Sequence, residues 1–510
     1  MDSPILTAAQ MRVVEKAAFD RGAAAEALMN EAGVGIARAV TRFFPEPGRC
    51  VVFAGKGNNA GDALVAAAHL CRIGWGVETR LSFEEKDCGE LMRNKLQSLR
   101  AALRRDERPL VRGRAEARPS GAIVLDGLLG LGAKPPLREP IRQACREINR
   151  LRRDENAYVF AIDLPTGIDG DSGKADRDCV VADFTVTIGF TKRGLLADHA
   201  ANFVGRLEVV DLPELRRDEL PLVRGRAEAR PSDIVATAGS LRDLLPRRKY
   251  DAYKNQFGRV GIVAGSRGFT GAAIMCSLGA LRAGAGLVEI FVPEEIYEIV
   301  ASAAPPEAMV KPVLSYRDLP NESSDAWGVG PGLGKERADE ILYLMQSARR
   351  PMVIDADALN ILSGKTALLK RCRGPRLLTP HPGEMKRLFG SKKETRAQTA
   401  KRFTSKFPVT LLLKGSRTIV AQHGLPFSYN TTGNPGMATG GMGDVLTGVC
   451  AALIGQKLPL YDAARLGAWL CGRAAEIAVF NHGASEESLL PRDVIDNIGA
   501  AFNDLLTGNP

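Results

Sequence analysis

Apolar runs of four to seven residues recur along this chain, most of them followed by a glycine-rich or acidic turn and then by a helix-like stretch. Cys50–Ala54 (CVVFA) is short and uninterrupted, the pattern of a parallel strand covered on both faces. Gly55–Ala63 (GKGNNAGDA) reads as a turn, and LVAAAHLCRIGWG from Leu64 as a helix ending at glycine. AIVLD and YVFAID read as two further strands, ending at Asp126 and Asp163. The second half repeats the alternation. GRVGIV from Gly258 leads into a glycine loop and a helix of small residues, whose composition predicts close packing. LVEIFVP and PMVID follow, then LLTPHPGEMKRL, which sets His381 and Glu384 after a strand. LLLKGSRTIV from Leu411 reads as strand, turn and strand. Strands alternating with helices predict an α/β fold with parallel sheets.

The length of 510 residues gives room for two or three domains. With 45% hydrophobic and 25% charged residues, the composition is that of a soluble globular protein, which excludes collagen-like, disordered and disulfide-framework classes. The longest apolar candidate, Gly121–Ala133, contains Asp126 and falls short of the roughly 20 residues a membrane span needs. Asp2 and the lack of an apolar core argue against a signal peptide. Nine cysteines with no CxxC pair predict reduced thiols and a cytoplasmic location.

The net charge of +10 changes the picture less than it first promises. Leu103–Ser120 (LRRDERPLVRGRAEARPS) and Leu215–Ser232 (LRRDELPLVRGRAEARPS) agree at 17 of 18 positions and together carry +5 of that excess. Leu151–Glu155 repeats LRRDE once more. Near-identity at such a distance is the mark of one element inserted into permissive loops, not of a solenoid. Surface excursions are expected. The arginines lack interleaved aromatic residues, so no nucleic-acid partner is expected.

The chemistry gathers at strand ends. Ligands of open parallel sheets bind beyond the carboxyl ends of strands. Three strands deliver Asn59, Asp126, and Asp163 with Thr166 to one edge, a hard-oxygen set suited to a cation. A ligand-free tight turn and a capping role for Asp126 are the plainer alternatives. In the second half, Asn430–Gly455 (NTTGNPGMATGGMGDVLTGVCAALIG) holds seven glycines and Asp444. Gly440, Gly441 and Gly443 can bare backbone N–H groups at a helix start near Asp444, forming an anion hole for a transferring phosphoryl group. Asp444 is placed to take a proton from an attacking hydroxyl; an ordinary helix N-cap is the alternative.

GKGNNAGDA, DGLLGLG and IDLPTGIDGDSG resemble the NAD(P)H-hydrate epimerase family, the YjeF N-terminal domain, over about residues 1–213. The resemblance implies a Rossmann-like three-layer sandwich. It implies hydrate binding by Asn58, Asn59, Ala60, Gly61 and Asp62, by the loop Gly130, Leu131, Gly132, Ala133, Lys134, Pro135 and Pro136, and by Asp163, which would transfer the proton. It implies a potassium ion (K+) on Asn59, Asp126 and Thr166. Ala60 and Ala63 stand where the family has glycines; at positive φ an alanine at 60 would be strained. NPGMATGGMGDVLTG, TPHPGE and GPGLG resemble the ADP- or ATP-dependent NAD(P)H-hydrate dehydratases of the ribokinase-like superfamily, over about residues 233–510. That resemblance implies hydrate contacts at Ala272, Gly332, His381 and Asp444. It implies nucleotide contacts at Lys414, Gly415, Ser416, Arg417, Thr418 and Gly443, with ADP as co-substrate and Mg2+.

Together the resemblances imply an enzyme that interconverts the epimers of NADHX or NADPHX and dehydrates one of them, as a cytoplasmic homo-oligomer. The expected limits are residues 1–213 for the epimerase domain, 214–235 for a linker and 236–510 for the dehydratase domain. Two rival readings share the same residues: a ribokinase-like small-molecule kinase, and a first domain that only binds or dimerises.

Overall fold

A computed structural model describes residues 3–105, 122–132, 135–216, 233–390 and 393–507. The chain divides into two compact units, Ser3–Pro231 and Ser232–Asn509. Most of both basic copies lies outside the described residues. Their first residues are helical: Leu103–Arg105 close one helix and Leu215–Arg216 close a short one, with Leu215 buried. The third LRRDE is no excursion. It ends helix Ile141–Asp154, with Leu151 buried and Arg152 Nη2 paired to Asp183 Oδ1 at 2.7 Å.

The first unit opens with β1 (Ser3–Leu6), α1 (Ala8–Asp20) and α2 (Ala25–Phe43). Then come β2 (Arg49–Ala54), α3 (Asn58–Arg72), β3 (Gly76–Leu81) and α4 (Glu90–Arg105). β4 (Ile123–Gly127), α5 (Ile141–Asp154), β5 (Tyr158–Ile162), β6 (Phe184–Ile188), β7 (Thr191–Lys192) and β8 (Arg206–Val210) complete it. Six strands form one parallel sheet in the order β3-β2-β4-β5-β6-β8. β1 pairs separately with β7, Leu6 opposite Lys192. Every residue of β4 is buried, as a strand covered on both faces requires. Val51, Phe53, Val124 and Val159 share a core cluster with Ile141, Cys145 and Ile148 of α5. The sheet order reverses between β2 and β4, and crevices at such reversals are where ligands of these folds lie.

The helix after β2 begins at Asn58 rather than Leu64, with Gly57 as its N-cap. Asn58–Ala63 are therefore its opening turns and not a loop. Ala60 is an ordinary buried helical residue, free of left-handed strain.

The second unit contains β9 (Ile234–Val235), β10 (Arg259–Val263), α6 (Thr270–Arg282), β11 (Leu287–Pro293), β12 (Ala308–Val313) and β13 (Ala326–Val329). β14 (Met352–Ile354), α7 (Ala356–Leu362), β15 (Arg376–Leu378), α8 (Pro382–Phe389) and α9 (Arg396–Lys406) follow. The hairpin β16 (Thr410–Leu413) and β17 (Thr418–Gln422), then β18 (Ser428–Asn430), α10 (Met442–Gly455), α11 (Leu460–Phe480) and α12 (Pro491–Thr507), close it. Strands run β12-β11-β10-β13-β14-β15-β16 in parallel, then turn antiparallel through β17 and β18. The small residues expected to pack closely do so: a Cβ on Gly448 of α10 would fall 1.9 Å from the Cys276 carbonyl oxygen of α6. No described helix is long and apolar enough to cross a membrane. All nine cysteines are free thiols.

Candidate active sites

In the first unit, Asp126 ends the central strand β4 with its side chain wholly buried. Its Oδ1 accepts from Thr166 Oγ1 (2.7 Å) and Leu128 N (3.3 Å), and its Oδ2 from Thr166 N (2.8 Å). Burial outweighs those bonds, and the carboxyl is pushed up to about 6. Thr166 Oγ1 in turn accepts from Leu129 N (3.2 Å), whose carbonyl takes Asn59 Nδ2 (3.1 Å). The three oxygen-bearing residues anticipated at this edge thus meet around Leu129.

Asp163 follows β5 with φ of +65°, a left-handed conformation that aspartate tolerates better than most residues. Its Oδ1 accepts from Thr187 Oγ1 (3.3 Å), from Ile188 N (3.2 Å) and from the ammonium of Lys192. Lys192 on β7 is fully buried, and also donates to Thr187 Oγ1 (3.2 Å) and the Ile188 carbonyl (3.0 Å). Two more carboxyls feel this pair. Asp62 of α3 is held well above the usual carboxylate range by burial, then by the charges of Asp163 and Glu15, with Lys192 opposing. Glu15 of α1 is raised by burial, against the pull of Lys192.

Asn58 is exposed, while Gly61 makes room for packing: its Cβ would lie 2.4 Å from Met29 Sδ. Gly130 borders the Asn59 amide, and the Leu131 carbonyl accepts from Arg12 Nη2 (3.5 Å). Gly132 and Pro136 are exposed and Pro135 is partly buried. Ala133 and Lys134 lie outside the described residues.

In the second unit, the parallel strands end together at one rim. Gly441, at φ +95°, is the N-cap of α10, so Asp444 is the third helical residue and not the cap. Before the first intrahelical bond, Val445 N to Gly441 O (3.1 Å), the N–H groups of this turn have no partner within the helix. Asp355, directly after β14, is buried and accepts from Lys414 Nζ on Oδ1 (2.8 Å) and from Thr447 Oγ1 on Oδ2 (2.9 Å). A Cβ on Gly443 would come within 3.3 Å of both Asp355 Oδ2 and Lys414 Nζ, so the bare glycine faces that ion pair. The Asp444 carboxyl itself makes no hydrogen bond or ion pair with any described residue. Burial, then the charge of Asp355, push it up to about 7, with Lys414 opposing. Burial works against the charge on Lys414, but Asp355, Glu384 and Asp444 outweigh it and its pKa is raised.

Gly332, at φ +61°, lies against Ala272 and Phe269: its Cβ would be 2.9 Å from that of Ala272. Gly334 N donates to Asp357 Oδ2 (2.9 Å). Phe269 is an exposed aromatic at this contact. His381 caps α8: its Nδ1 accepts from Gly383 N (3.0 Å), while buried Glu384 Oε2 accepts from His381 N (2.8 Å). That bond leaves Nε2 as the ring nitrogen for other partners, with Glu384 Oε1 3.6 Å away. Gly415, Ser416 and Arg417 form the β16–β17 turn, flanked by Lys414 and Thr418 as anticipated. Arg396 of α9 grips it through the carbonyls of Lys414 (3.3 Å) and Arg417 (3.0 Å), and Thr418 Oγ1 donates to the Gly415 carbonyl (3.1 Å).

Sequence reasoning missed Lys192, Glu15, Asp355, Thr447 and Arg396. Asp355 carries the signal that found Asp126, an apolar run ending in aspartate. Lys192 carries none, since its strand is two residues long.

Two family models match the chain: a YjeF-related protein N-terminus over residues 25–194 and an NAD(P)H-hydrate dehydratase over residues 260–499. A Bifunctional NAD(P)H-hydrate repair enzyme of Moorella thermoacetica is 34% identical over 98% of this chain and 97% of its own length. The protein of that name from Escherichia coli is 32% identical over 94% and 90%. Among solved structures, an ADP/ATP-dependent NAD(P)H-hydrate dehydratase from Bacillus subtilis, co-crystallized with ATP and Mg2+, is 28% identical with a TM-score of 0.48, covering 55% of this chain and 100% of that one. With both halves matched in one continuous alignment, the chain belongs to the family of bifunctional NAD(P)H-hydrate repair enzymes.

Proposed function

We propose that the second unit dehydrates an NAD(P)H hydrate at the expense of ADP, with Asp444 as general base, and that the first unit interconverts the hydrate's epimers through Asp163. The observation that carries this reading is the half-buried Asp444 carboxyl, without a partner among the described residues, at a glycine-bounded helix start beside the Asp355–Lys414 pair.

The hydrate bears a hydroxyl on ring carbon C6, next to nitrogen N1. Hydroxide leaves poorly; a phosphate leaves well. Asp444 takes the hydroxyl proton, and the oxygen attacks the terminal phosphoryl group of ADP, expelling AMP. The N1 electron pair then pushes out phosphate, a proton leaves C5, and the double bond of NAD(P)H returns. A base with a pKa near 7 suits this first proton transfer. The Gly440–Gly443 amides and Lys414 stabilise the transferring charge, and Lys414 to Thr418 with Gly443 hold the nucleotide. Ala272, Gly332 and His381 border the hydrate. Mg2+ would come with the nucleotide and supply charge neutralisation on its phosphates, since no group of three or more His, Cys, Asp or Glu among the described residues is gathered to hold it alone.

In the first unit, Asp163 takes the C6 hydroxyl proton. A carbonyl forms as the C6–N1 bond opens toward nitrogen, and re-closure on the other face with return of the proton gives the second epimer. Asn58–Asp62 and Gly130–Pro136 enclose the hydrate. The Asn59, Asp126 and Thr166 oxygens fit K+: Asp126 is buried without a cationic side chain on it, and the ion would supply that missing charge.

The test is Asp444→Ala. Nucleotide-dependent recovery of the near-ultraviolet absorbance of NAD(P)H disappears while epimerisation continues. Wild-type protein releases inorganic phosphate stoichiometrically; a phosphorylated product without free phosphate makes it a kinase instead.

A further inference from the structure

Lys192 has three ammonium hydrogens and three acceptors: Asp163 Oδ1, Thr187 Oγ1 and the Ile188 carbonyl. It is buried at 1% exposure and holds no hydrogen in reserve. The aspartate is equally one-sided. Lys192, Thr187 Oγ1 and Ile188 N all converge on Oδ1, and Oδ2 accepts no hydrogen bond from any described residue. A carboxylate gripped by one oxygen at a left-handed backbone position has its other oxygen fixed in direction.

We infer that Lys192 is the positioning residue of the epimerase site: together with Thr187 it clamps Asp163 through Oδ1, so that Oδ2 alone exchanges the proton with the C6 hydroxyl. This rests on the assignment of Asp163 made above. A lysine with every donor engaged cannot also bind the hydrate, so its loss should lower turnover and not affinity. The lysine is placed by β7, which pairs with β1 across Leu6. Other titratable groups facing the pair are Glu15 and Arg12 from α1 and Asp62 from α3. The Lys192 ammonium opposes protonation of both Glu15 and Asp62, and Lys192→Met removes that charge.

The experiment measures epimerisation of NADPH hydrate by the full chain carrying Lys192→Met, Thr187→Val or Asp163→Asn. Lys192→Met should lower kcat about 100-fold, the scale of a misplaced catalytic group, with KM changed less than about threefold. Thr187→Val, of conserved volume, should lower kcat about tenfold with KM changed less than about threefold. Epimerisation by Lys192→Met within about threefold of wild type, or a raised KM at unchanged kcat, overturns the inference. If Lys192→Met loses the melting transition of the first unit, Thr187→Val decides: unchanged kcat overturns it. Asp163→Asn separates the two claims. If that variant still epimerises, the Asp163 assignment fails; if it is inactive while Lys192→Met is not, only the clamp fails.

Discussion

Each unit sets a lysine near the aspartate proposed to do its chemistry, but at different removes. In the first, Lys192 bonds Asp163 directly and fills one of its oxygens. In the second, Lys414 bonds Asp355, and Asp444 stands beside that pair with no partner among the described residues. The first arrangement orients an acid. The second leaves it unbound and lets burial and a neighbouring negative charge raise its proton affinity. In the proposed epimerisation the same proton returns to the same oxygen, so direction matters most. In the proposed dehydration a hydroxyl must be stripped for a single attack, so basicity matters most.

The largest effects should break the comparison cleanly in two. Asp444→Asn should lower dehydration by about 10²–10⁴-fold, the range for losing a general base, with epimerisation unchanged. Asp163→Asn should do the reverse. A variant that damages both activities would end the division of labour.

The second unit then offers a pair of opposing shifts. The charge of Asp355 raises the pKa of Asp444 and that of Lys414 lowers it. Asp355→Asn should therefore move the acid limb of dehydratase kcat/KM to lower pH, and Lys414→Met to higher pH, each with a loss of about tenfold or more in kcat. In wild type that limb should centre near the value of about 7 set by Asp444. Movement of both variants in one direction would refute the through-space reading.

The smallest effect is on stability. The folded-state pKa of Asp444 lies above its unfolded value of 3.8, so the native state holds more protons between pH ~4 and ~7. Stability contributed by this group is present at low pH and is lost as pH rises through that window. Asp444→Asn removes the penalty and should melt a few degrees higher than wild type at pH ~8 and no higher at pH ~4.

Much of this was legible in the chain. Parallel strands covered on both faces announce themselves as unbroken apolar runs, and an aspartate ending such a run is a candidate for the sheet's ligand edge; Asp126 and Asp163 are legible in that way. Asp355 ends an equally apolar run in PMVIDADALN, but no glycine loop follows it to mark it out. The start of α3 was misplaced because GKGNNAGDA looks like a turn, although asparagine, glycine and alanine can all sit in the first turns of a helix. His381 showed its block but not its job, since a capping box is visible only once Glu384 is seen folded back on it. Lys192 was illegible: a lysine between threonine and arginine reads as surface, and only tertiary pairing buries it.

That pairing gives Ser3–Leu6 a structural task. Ser3–Leu6 lie alongside Thr191–Lys192 in a strip of only two matched positions, so a short stretch at the head of the chain steadies the grip on an acid nearly two hundred residues downstream. A version of this protein beginning at Thr7 would lose the strand that flanks Lys192 and loosen its hold on Asp163, and a bulky tag fused close to Ser3 would be a poor choice for anyone wishing to assay both halves.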